Sequence, residues 1–322
     1  MEMYPLRFEP IFKERLWGGE KLRTVLGKPA TGSQIGESWE ISGVPGDESV
    51  VAEGPYAGQR LTELIAAFPE ALLGRRVLEQ FGTEFPILVK FIDASQDLSI
   101  QLHPDDRLAR ARHGSFGKTE MWYIMDADPG ARLIVGFERD VSRREYEKAL
   151  AEGRLTELLH YLEAKPGDGI FIPAGKIHAI GAGVLLAEIQ QSSDVTYRVY
   201  DFNRRDASGR LRELHTDLAL DAMDFSRRDD FILGYRRDAD QTCNMARTPY
   251  FTTNYLNLTR TFEADLGSRD AFTIFLCVSG GARVRLGPSQ AELKTGETLL
   301  IPAAAGQVVL ETKGCELLEV TL

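Results

Sequence analysis

The chain has 322 residues, of which 43% are hydrophobic, and its formal net charge is −10 at pH 7. This length predicts two domains or one large double domain, and the acidic balance argues against a nucleic-acid partner, which needs basic patches. No apolar run approaches the roughly 20 residues that span a bilayer and the amino terminus lacks the pattern of a signal peptide, so we expect no membrane partner and a cytoplasmic location.

Short β-rich runs, punctuated by glycine and proline, extend through most of the chain. This spacing is typical of a sandwich or barrel. The predicted strands are Phe85–Ile92, Met121–Met125, Ala131–Phe137, Gly169–Pro173, Val184–Gln190, Phe272–Val278, Ala282–Leu286, Thr298–Pro302 and Gln307–Leu310. Helical patterns interrupt them at Arg60–Phe68, Arg75–Phe81 and Ser142–Leu162. The last of these begins with a capping box formed by Ser142 and Glu145.

Two ten-residue segments of the chain resemble each other. Lys165–Ala174 matches Lys294–Ala303, with Lys, Gly, an acid, Ile, Pro and Ala at corresponding places. Each copy predicts a turn, a strand and a bend that ends in proline, and the repeat unit resembles the cupin family. We therefore predict a mainly β fold of two cupin-type jelly-roll or β-barrel domains with inserted and flanking helices. The predicted domains are residues 1–235 and 236–322, divided within the polar stretch Asn203–Arg237.

Histidine distinguishes the two copies. Five residues after Pro173 the first copy has His178, whereas five residues after Pro302 the second has Gln307. The chain after about Thr248 contains no histidine. The first domain can therefore bind a metal through imidazole, and the second is predicted to be a degenerate copy without metal. The other histidines lack polar company and are expected at the surface or in loops: His113, His160, on the predicted third helix, and His215.

Polar side chains of the first domain form a predicted metal site. Ser99, Gln101 and His103 share one face of a predicted strand, because side chains alternate along it. Glu120 opens the next strand and His178 follows the bend of a third, so antiparallel neighbours would bring these groups together. Any one of them alone would more often be a turn or surface residue, but the set predicts one metal held by Gln101, His103, Glu120 and His178. Zinc accepts this mixture of nitrogen and oxygen ligands, and iron, manganese or cobalt would tolerate it.

Motifs spread over nearly the whole chain carry a resemblance to a known family. They are Glu14–Gly19, Gly36–Ser42, Pro86–Asp93, Leu98–Asp105, Gly117–Trp122, Ile172–Ala179 and Glu188–Arg198. In this combination the sequence resembles the type I, zinc-containing mannose-6-phosphate isomerases, and more closely their short bacterial form. The resemblance implies one Zn²⁺ per chain on the four predicted ligands, with Co²⁺ or Mn²⁺ as substitutes.

The resemblance also implies a reaction and the residues that perform it. The family interconverts D-mannose 6-phosphate and D-fructose 6-phosphate through an enediol or enediolate, and its lysine, acid and arginine fall on Lys118, Glu188 and Arg198. Glu188 and Lys118 are both candidates for the proton shuttle, and the sequence leaves the choice open. Arg198 is a candidate for stabilising the oxyanion. Ser99, Lys118 and Arg198 are available to bind substrate, and Trp17 is a candidate for the wall of a sugar pocket.

The sequence is also compatible with other functions and with other roles for these residues. A non-catalytic sugar-binding or regulatory bicupin with a structural metal would not need the three predicted catalytic residues together. An iron oxygenase would more often use two histidines and a carboxylate, so Gln101 disfavours it. Lys118 could be a solvated loop residue, and Arg198 could form a structural ion pair with Asp194 or Asp201. We expect a small sugar phosphate as the ligand and a monomer or homodimer as the assembly.

Overall fold

The computed structural model describes residues 2–205 and 209–322. The mainly β fold predicted from the sequence is confirmed. The strands are β1 (Ile11–Gly19), β2 (Ile35–Ile41), β3 (Ile87–Ala94), β4 (Ile100–Leu102), β5 (Glu120–Ala127), β6 (Arg132–Phe137), β7 (Leu159–Glu163), β8 (Gly169–Ile172), β9 (His178–Ile180), β10 (Val184–Gln191), β11 (Tyr197–Tyr200), β12 (Thr242–Arg247), β13 (Thr252–Leu258), β14 (Phe262–Asp265), β15 (Thr273–Leu286), β16 (Ser289–Lys294), β17 (Thr298–Ile301), β18 (Gln307–Glu311) and β19 (Cys315–Thr321).

Short helices decorate the strands. The α-helices are α1 (Lys21–Thr24), α2 (Leu61–Ala67), α3 (Pro69–Leu73), α4 (Arg75–Phe81), α5 (Asp106–His113), α6 (Arg143–Ala151) and α7 (Thr216–Ala222), and 3-10 helices occupy Leu155–Leu158 and Gly267–Arg269. In the described ranges, no helix combines the length and the apolar character that crossing a bilayer requires.

The first part of the chain forms two antiparallel sheets that pack face to face. Sheet I has the strand order β1-β2-β3-β10-β5-β8, and sheet II has the order β11-β4-β9-β6-β7. Ile92 and Trp122 of sheet I share a buried apolar cluster with Leu133 of sheet II. Stacked sheets lie about 10 Å apart, so polar side chains on their inner faces can meet across the gap.

Both faces of sheet I are buried, as β10 shows. Leu186 belongs to the cluster between sheets I and II, whereas Leu185, Ala187 and Ile189 belong to a second cluster on the opposite face. Every residue of β10 is buried. The outer face of the strand is therefore fixed by apolar packing, while its inner face presents Glu188 to the space between the sheets.

The last part of the chain forms sheet III, with the strand order β12-β13-β19-β15-β18-β14 and with β16 and β17 also paired to β15. It curls around its own apolar cluster, which includes Phe275 and Leu317. The second cluster, on the outer face of sheet I, also includes residues of sheet III and of α2–α4, and there the rings of Phe85 and Phe272 lie 4.9 Å apart. The predicted division between residues 235 and 236 falls shortly before β12 and stays a prediction.

The sequence repeat is also a repeat of backbone structure. Each copy is a turn with a glycine at positive φ, Gly167 at 89° and Gly296 at 83°, followed by β8 in one case and β17 in the other. The copies differ at the start of the next strand. His178 is buried at the start of β9, whereas Gln307 is exposed at the start of β18 and donates a hydrogen bond to Glu263 at 2.7 Å. The second copy thus directs a polar side chain outward.

The predicted helix Ser142–Leu162 is wrong in its second half. Ser142 does cap α6, because its hydroxyl accepts a hydrogen bond from the Glu145 amide at 3.2 Å. The helix ends at Ala151, and Gly153 follows with a φ of 71°. The remaining residues form a 3-10 turn and then β7, which pairs with β6. His160 therefore lies on a strand, where its Nδ1 atom is 2.7 Å from a Glu138 carboxylate oxygen.

Two predicted strands, Phe272–Val278 and Ala282–Leu286, form one continuous strand, β15. Gly280 bends this strand at a φ of 73° without ending it. Pairing continues through the bend, since β19 contacts β15 as far as Gly280 and β16 takes over from Gly281. The glycine pair therefore marks a change of partner, not the end of a strand.

Candidate metal and sugar site

The four predicted metal ligands come from both facing sheets. On sheet II, Gln101 of β4 pairs with His178 at the start of β9, and His103 directly follows β4. Glu120 opens β5 on sheet I. His103, Glu120 and His178 are buried, and each offers a ligand atom within 4.8 Å of the others. The structure thus brings three of the predicted ligands together, while Gln101 lies beside His178 by strand pairing and its Oε1 accepts a hydrogen bond from the Ser99 hydroxyl at 3.2 Å.

Hydrogen bonds fix the tautomer of both imidazoles. Nδ1 of His103 is 2.9 Å from the Val195 carbonyl oxygen, and Nδ1 of His178 is 2.8 Å from that of Lys176. A carbonyl oxygen only accepts, so each Nδ1 carries the proton and each Nε2 is an acceptor. The Nε2 lone pair of His178 has no partner in the described residues, whereas that of His103 faces the Lys118 ammonium. Burial and the nearby Lys118 lower the pKa of His103 to about 3, and burial lowers the pKa of His178. Both rings are therefore neutral, as a metal ligand must be.

The remaining acceptor atoms fit a bound cation. Nε2 of His178 and Oε2 of Glu120 lie 3.4 Å apart, and both are buried without a hydrogen-bond partner in the described residues. Two facing acceptors are unfavourable unless a cation lies between them. Although burial acts in the opposite direction, the Lys118 ammonium holds the pKa of Glu120 well below its ordinary value. Two imidazoles, an ionised carboxylate and an amide suit a divalent metal such as zinc, cobalt or manganese.

Lys118 and Glu188 lie beside this ligand set. Nζ of Lys118 is 2.9 Å from a Glu120 oxygen and 3.1 Å from Nε2 of His103. Burial lowers the pKa of Lys118, but Glu120 and Glu188 outweigh burial and raise it above its ordinary value. Burial raises the pKa of Glu188 to about 7. Near neutral pH, therefore, Glu188 can exchange a proton while Lys118 stays an ammonium.

Arg198 extends from β11 into the space near Ser99. Its Nε donates to the Ser99 hydroxyl at 3.2 Å and one Nη donates to the Glu213 carbonyl at 2.9 Å. Asp201, one of the expected ion-pair partners, accepts hydrogen bonds from Arg212 and a further arginine instead. Within residues 2–205 and 209–322, no carboxylate forms an ion pair with the Arg198 guanidinium. Its charge is therefore available to a ligand.

One cavity of about 590 Å³ connects these groups. Most of the predicted site residues line it: Trp17, Ser99, Gln101, Lys118, His178, Glu188 and Arg198. His103 and Glu120 are buried beside it, in contact with Lys118. The cavity is large enough for a sugar phosphate and has cationic groups at more than one point of its wall.

Sequence reasoning missed a charged network on the sheet I side of this cavity. The Glu37 carboxylate accepts a hydrogen bond from Nε of Arg15 at 2.8 Å and another from the Trp39 indole at 2.6 Å. Lys90 lies 4.9 Å from the centre of the Trp39 ring and 3.1 Å from a Glu188 oxygen. Although burial acts in the opposite direction, Lys90 and Arg15 lower the pKa of Glu37 to about 2. The sequence signal that could have revealed this network is the presence of Glu37 and Lys90 as charged residues within otherwise apolar strands.

Comparisons with known proteins agree along the chain. A family model for the phosphomannose isomerase type I catalytic domain matches residues 6–130, and one for the mannose-6-phosphate isomerase cupin domain matches residues 241–321. The mannose-6-phosphate isomerase ManA of Bacillus subtilis (strain 168) is 36% identical over 97% of both chains. The mannose-6-phosphate isomerase of Streptococcus mutans is 34% identical over 92% of both chains.

Solved structures extend the similarity to three dimensions. The crystal structure of the mannose 6-phosphate isomerase from Bacillus subtilis superposes with a TM-score of 0.90 at 32% identity, covering 99% of this chain and 100% of that one. A mutant of the phosphomannose isomerase from Salmonella typhimurium superposes with a TM-score of 0.78 at 18% identity, over 98% of this chain and 99% of that one. At that identity the second match shows a shared fold only.

Proposed function

The chain belongs to the type I phosphomannose isomerase family, and from this premise we propose that it interconverts D-mannose 6-phosphate and D-fructose 6-phosphate. The reaction moves a proton between C1 and C2 of the open-chain sugar and generates a transient oxyanion. The observation that carries the proposal is the meeting of a buried carboxyl group, Glu188, with a set of metal ligands at one cavity. The cytoplasmic location, and an assembly of one or two chains, stay predictions from the sequence.

We further propose that Gln101, His103, Glu120 and His178 hold one zinc ion, for which cobalt or manganese can substitute. The support is the pair of facing, unpartnered acceptors on Glu120 and His178. An ion held by these residues would supply Lewis-acid stabilisation of the oxyanion, a contribution often worth several kcal/mol.

Glu188 is the proposed proton carrier. It accepts the proton from C2 and returns it to C1, while the hydroxyl proton of O2 passes to O1, so that the aldose becomes the ketose. A pKa near 7 suits Glu188 to both carbon-proton steps at neutral pH. The Trp122 indole donates to one Glu188 oxygen at 2.9 Å and so fixes the direction of the carboxyl group. Lys118 stays protonated and donates a hydrogen bond to the sugar oxygen that gains negative charge.

Arg198, Ser99 and Trp17 are proposed to bind the substrate. The Arg198 guanidinium is already oriented by the Ser99 hydroxyl and carries no carboxylate partner in the described residues. The guanidinium is therefore suited to stabilise, together with Lys118, the negative charge that develops on the sugar oxygen. Trp17 is buried in the cavity wall and offers an apolar surface to the sugar.

The proposal is tested by coupling fructose 6-phosphate formation to a reporter enzyme, with and without a chelator. The metal-loaded chain should convert mannose 6-phosphate, the chelator should abolish conversion, and added zinc, cobalt or manganese should restore it. His178→Ala should stay folded but lose bound metal and turnover. His160→Ala, a histidine paired with Glu138, should keep both.

Failure of the wild-type chain to turn over substrate with any of the three metals would contradict the isomerase proposal. If purified His178→Ala retains stoichiometric metal by atomic emission, His178 is not a metal ligand. That result would not contradict the isomerase proposal, which the coupled assay tests separately.

A further inference from the structure

We propose that Lys176 is a positioning residue for the metal ligand His178, and that Asp224 and Ser226 hold it in place. The inference rests on the proposed metal site. It adds that a residue outside the four ligands is needed for full metal affinity. Lys176 does not line the cavity, and its side chain points away from it into the packing between the β8–β9 turn and the residues after α7.

The side chain of Lys176 is completely buried and fully bonded. Its Nζ atom is 2.6 Å from the Ser226 carbonyl oxygen, 3.2 Å from the Ser226 hydroxyl and 2.8 Å from a carboxylate oxygen of Asp224. An ammonium group has three protons, so each finds an acceptor. Because an unpaired buried ammonium is strongly unfavourable, these acceptors restrict the lysine to one position.

The backbone of Lys176 transmits this position to the metal site. Its carbonyl oxygen accepts the Nδ1 proton of His178 at 2.8 Å. That hydrogen bond sets both the tautomer and the orientation of the ring, and therefore the direction of the Nε2 lone pair. Groups that orient a metal-bound histidine in this way commonly change metal affinity by about 10- to 100-fold when they are removed.

The same turn is held between another predicted ligand and the segment after α7. The Gly175 amide donates to the His103 carbonyl at 2.8 Å, and the Asp224 amide donates to the Gly175 carbonyl at 2.9 Å. Phe225 stacks on Phe137 with ring centres 6.0 Å apart, which anchors the segment to sheet II. The contacts therefore run from the packed core, through Asp224 and Lys176, to His178.

A purely structural ion pair is the competing explanation, and the chain contains a matched example of one. Nζ of Lys21 also has three acceptors: Asp126 at 2.8 Å, Asp128 at 2.8 Å and the Gly183 carbonyl at 3.0 Å. Asp126 lies six residues beyond Glu120 on β5, which is about 20 Å along an extended strand. Losing Lys21 therefore removes a comparable set of hydrogen bonds, none of which is made to His178 or to Lys176.

The test compares Lys176→Met with Lys21→Met in the full chain. Zinc affinity is measured by competition with a chromophoric chelator, and the stability of the metal-free proteins is measured by thermal unfolding. Both variants should have a lower Tm, but only Lys176→Met should bind zinc about 10- to 100-fold more weakly. At saturating zinc Lys176→Met should regain most of its kcat, with KM for the sugar phosphate little changed.

Wild-type zinc affinity in folded Lys176→Met would overturn the proposal, as would an equal loss of affinity in Lys21→Met. If Lys176→Met does not fold, Asp224→Ala decides the question, because Asp224 is partly exposed and its removal takes away the one charged acceptor that the structure gives this lysine among the described residues. Unchanged zinc affinity in Asp224→Ala would overturn the role of Lys176. A wild-type chain that binds no zinc, cobalt or manganese would overturn the proposed metal site itself.

Discussion

Among the residues of the cavity, Arg198 combines partial burial with the lack of a carboxylate partner in the described chain. Burial and the neighbouring Arg212 lower its pKa, yet a guanidinium remains protonated at any pH at which the protein is folded. Keeping this guanidinium without a carboxylate partner costs stability. In return, its positive charge is already in position to stabilise a negative charge that develops on the substrate.

Replacement of this arginine tests its role. Arg198→Ala should leave metal content unchanged and lower kcat by about 10²- to 10³-fold, the range for loss of one preorganised oxyanion donor. Arg198→Lys should recover only part of the activity. A lysine ammonium cannot both keep the hydrogen bond to Ser99 and present further donors in the fixed planar geometry of a guanidinium. Steady-state kinetics with metal analysis provides the measurement. A near-normal kcat in Arg198→Ala would make the residue part of the scaffold.

Single residues of the site were predictable where strand alternation and spacing applied, and not elsewhere. Alternation grouped Gln101 with His103, and the repeat singled out His178. The network of Glu37 and Lys90 was missed because a charged residue within an apolar strand can be predicted to be buried, whereas its ion-pair partner cannot be predicted from the strand alone. Only the pairing of β2, β3 and β10 brings Lys90 to Glu188.

Among the elements, the turn between β8 and β9 is the one on which the site depends most directly. Gly175 has a φ of 84° in this turn, and a Cβ atom added there would lie 2.6 Å from the Ala222 carbonyl oxygen. Gly58 has the same φ of 84°, but a Cβ atom would meet nothing within 4 Å. Comparing alanine substitutions at these two glycines therefore separates the destabilisation caused by left-handed backbone from that caused by a steric clash.

Substitution by alanine should therefore affect the two turns differently. Gly58→Ala should cost about 1 to 2 kcal/mol for the left-handed backbone alone. Gly175→Ala should lose more stability and also weaken metal binding, because the clash displaces the turn that carries Lys176 and His178. Urea unfolding and zinc competition measure the two effects. Equal losses of stability, with zinc affinity unchanged, would show that the turn tolerates displacement.

Element boundaries were predicted less well than element types. Arg75–Phe81 is a helix with the predicted bounds. The end of α6 was misjudged because leucines at helical spacing continue past Ala151, and the sequence alone does not show that Leu159–Glu163 pairs with β6. Tertiary pairing, not local propensity, decides the structure of that segment.

For the whole molecule, the packing of sheet III on sheet I links the domain without predicted ligands to the one that has them. The apolar cluster between them includes residues of both sheets and of α2–α4. The two related units were predictable from the repeat, but their contact was not, because alternation shows which face is buried and not what covers it. An apolar interface of this kind predicts cooperative unfolding.

A core substitution in sheet III tests that cooperativity. All three tryptophans, at positions 17, 39 and 122, belong to the first part of the chain, so their fluorescence reports on that part alone. Phe275→Ala, in the cluster inside sheet III, should cost about 3 to 5 kcal/mol and should shift the tryptophan-monitored urea midpoint. Leu211→Ala, at an exposed position, should leave it unchanged. A wild-type fluorescence midpoint in Phe275→Ala would show that the parts unfold independently.

The long strand β15 has a consequence for how the protein opens in solution. It pairs with β16, β17, β18 and β19, so its backbone amides lie at the centre of the C-terminal sheet. Local fluctuations that loosen an edge strand leave these amides protected, and only complete unfolding exposes them. In heavy water, the amides of Ile274, Leu276 and Val284 should therefore exchange last. Their exchange rate would give the free energy of global unfolding without any denaturant.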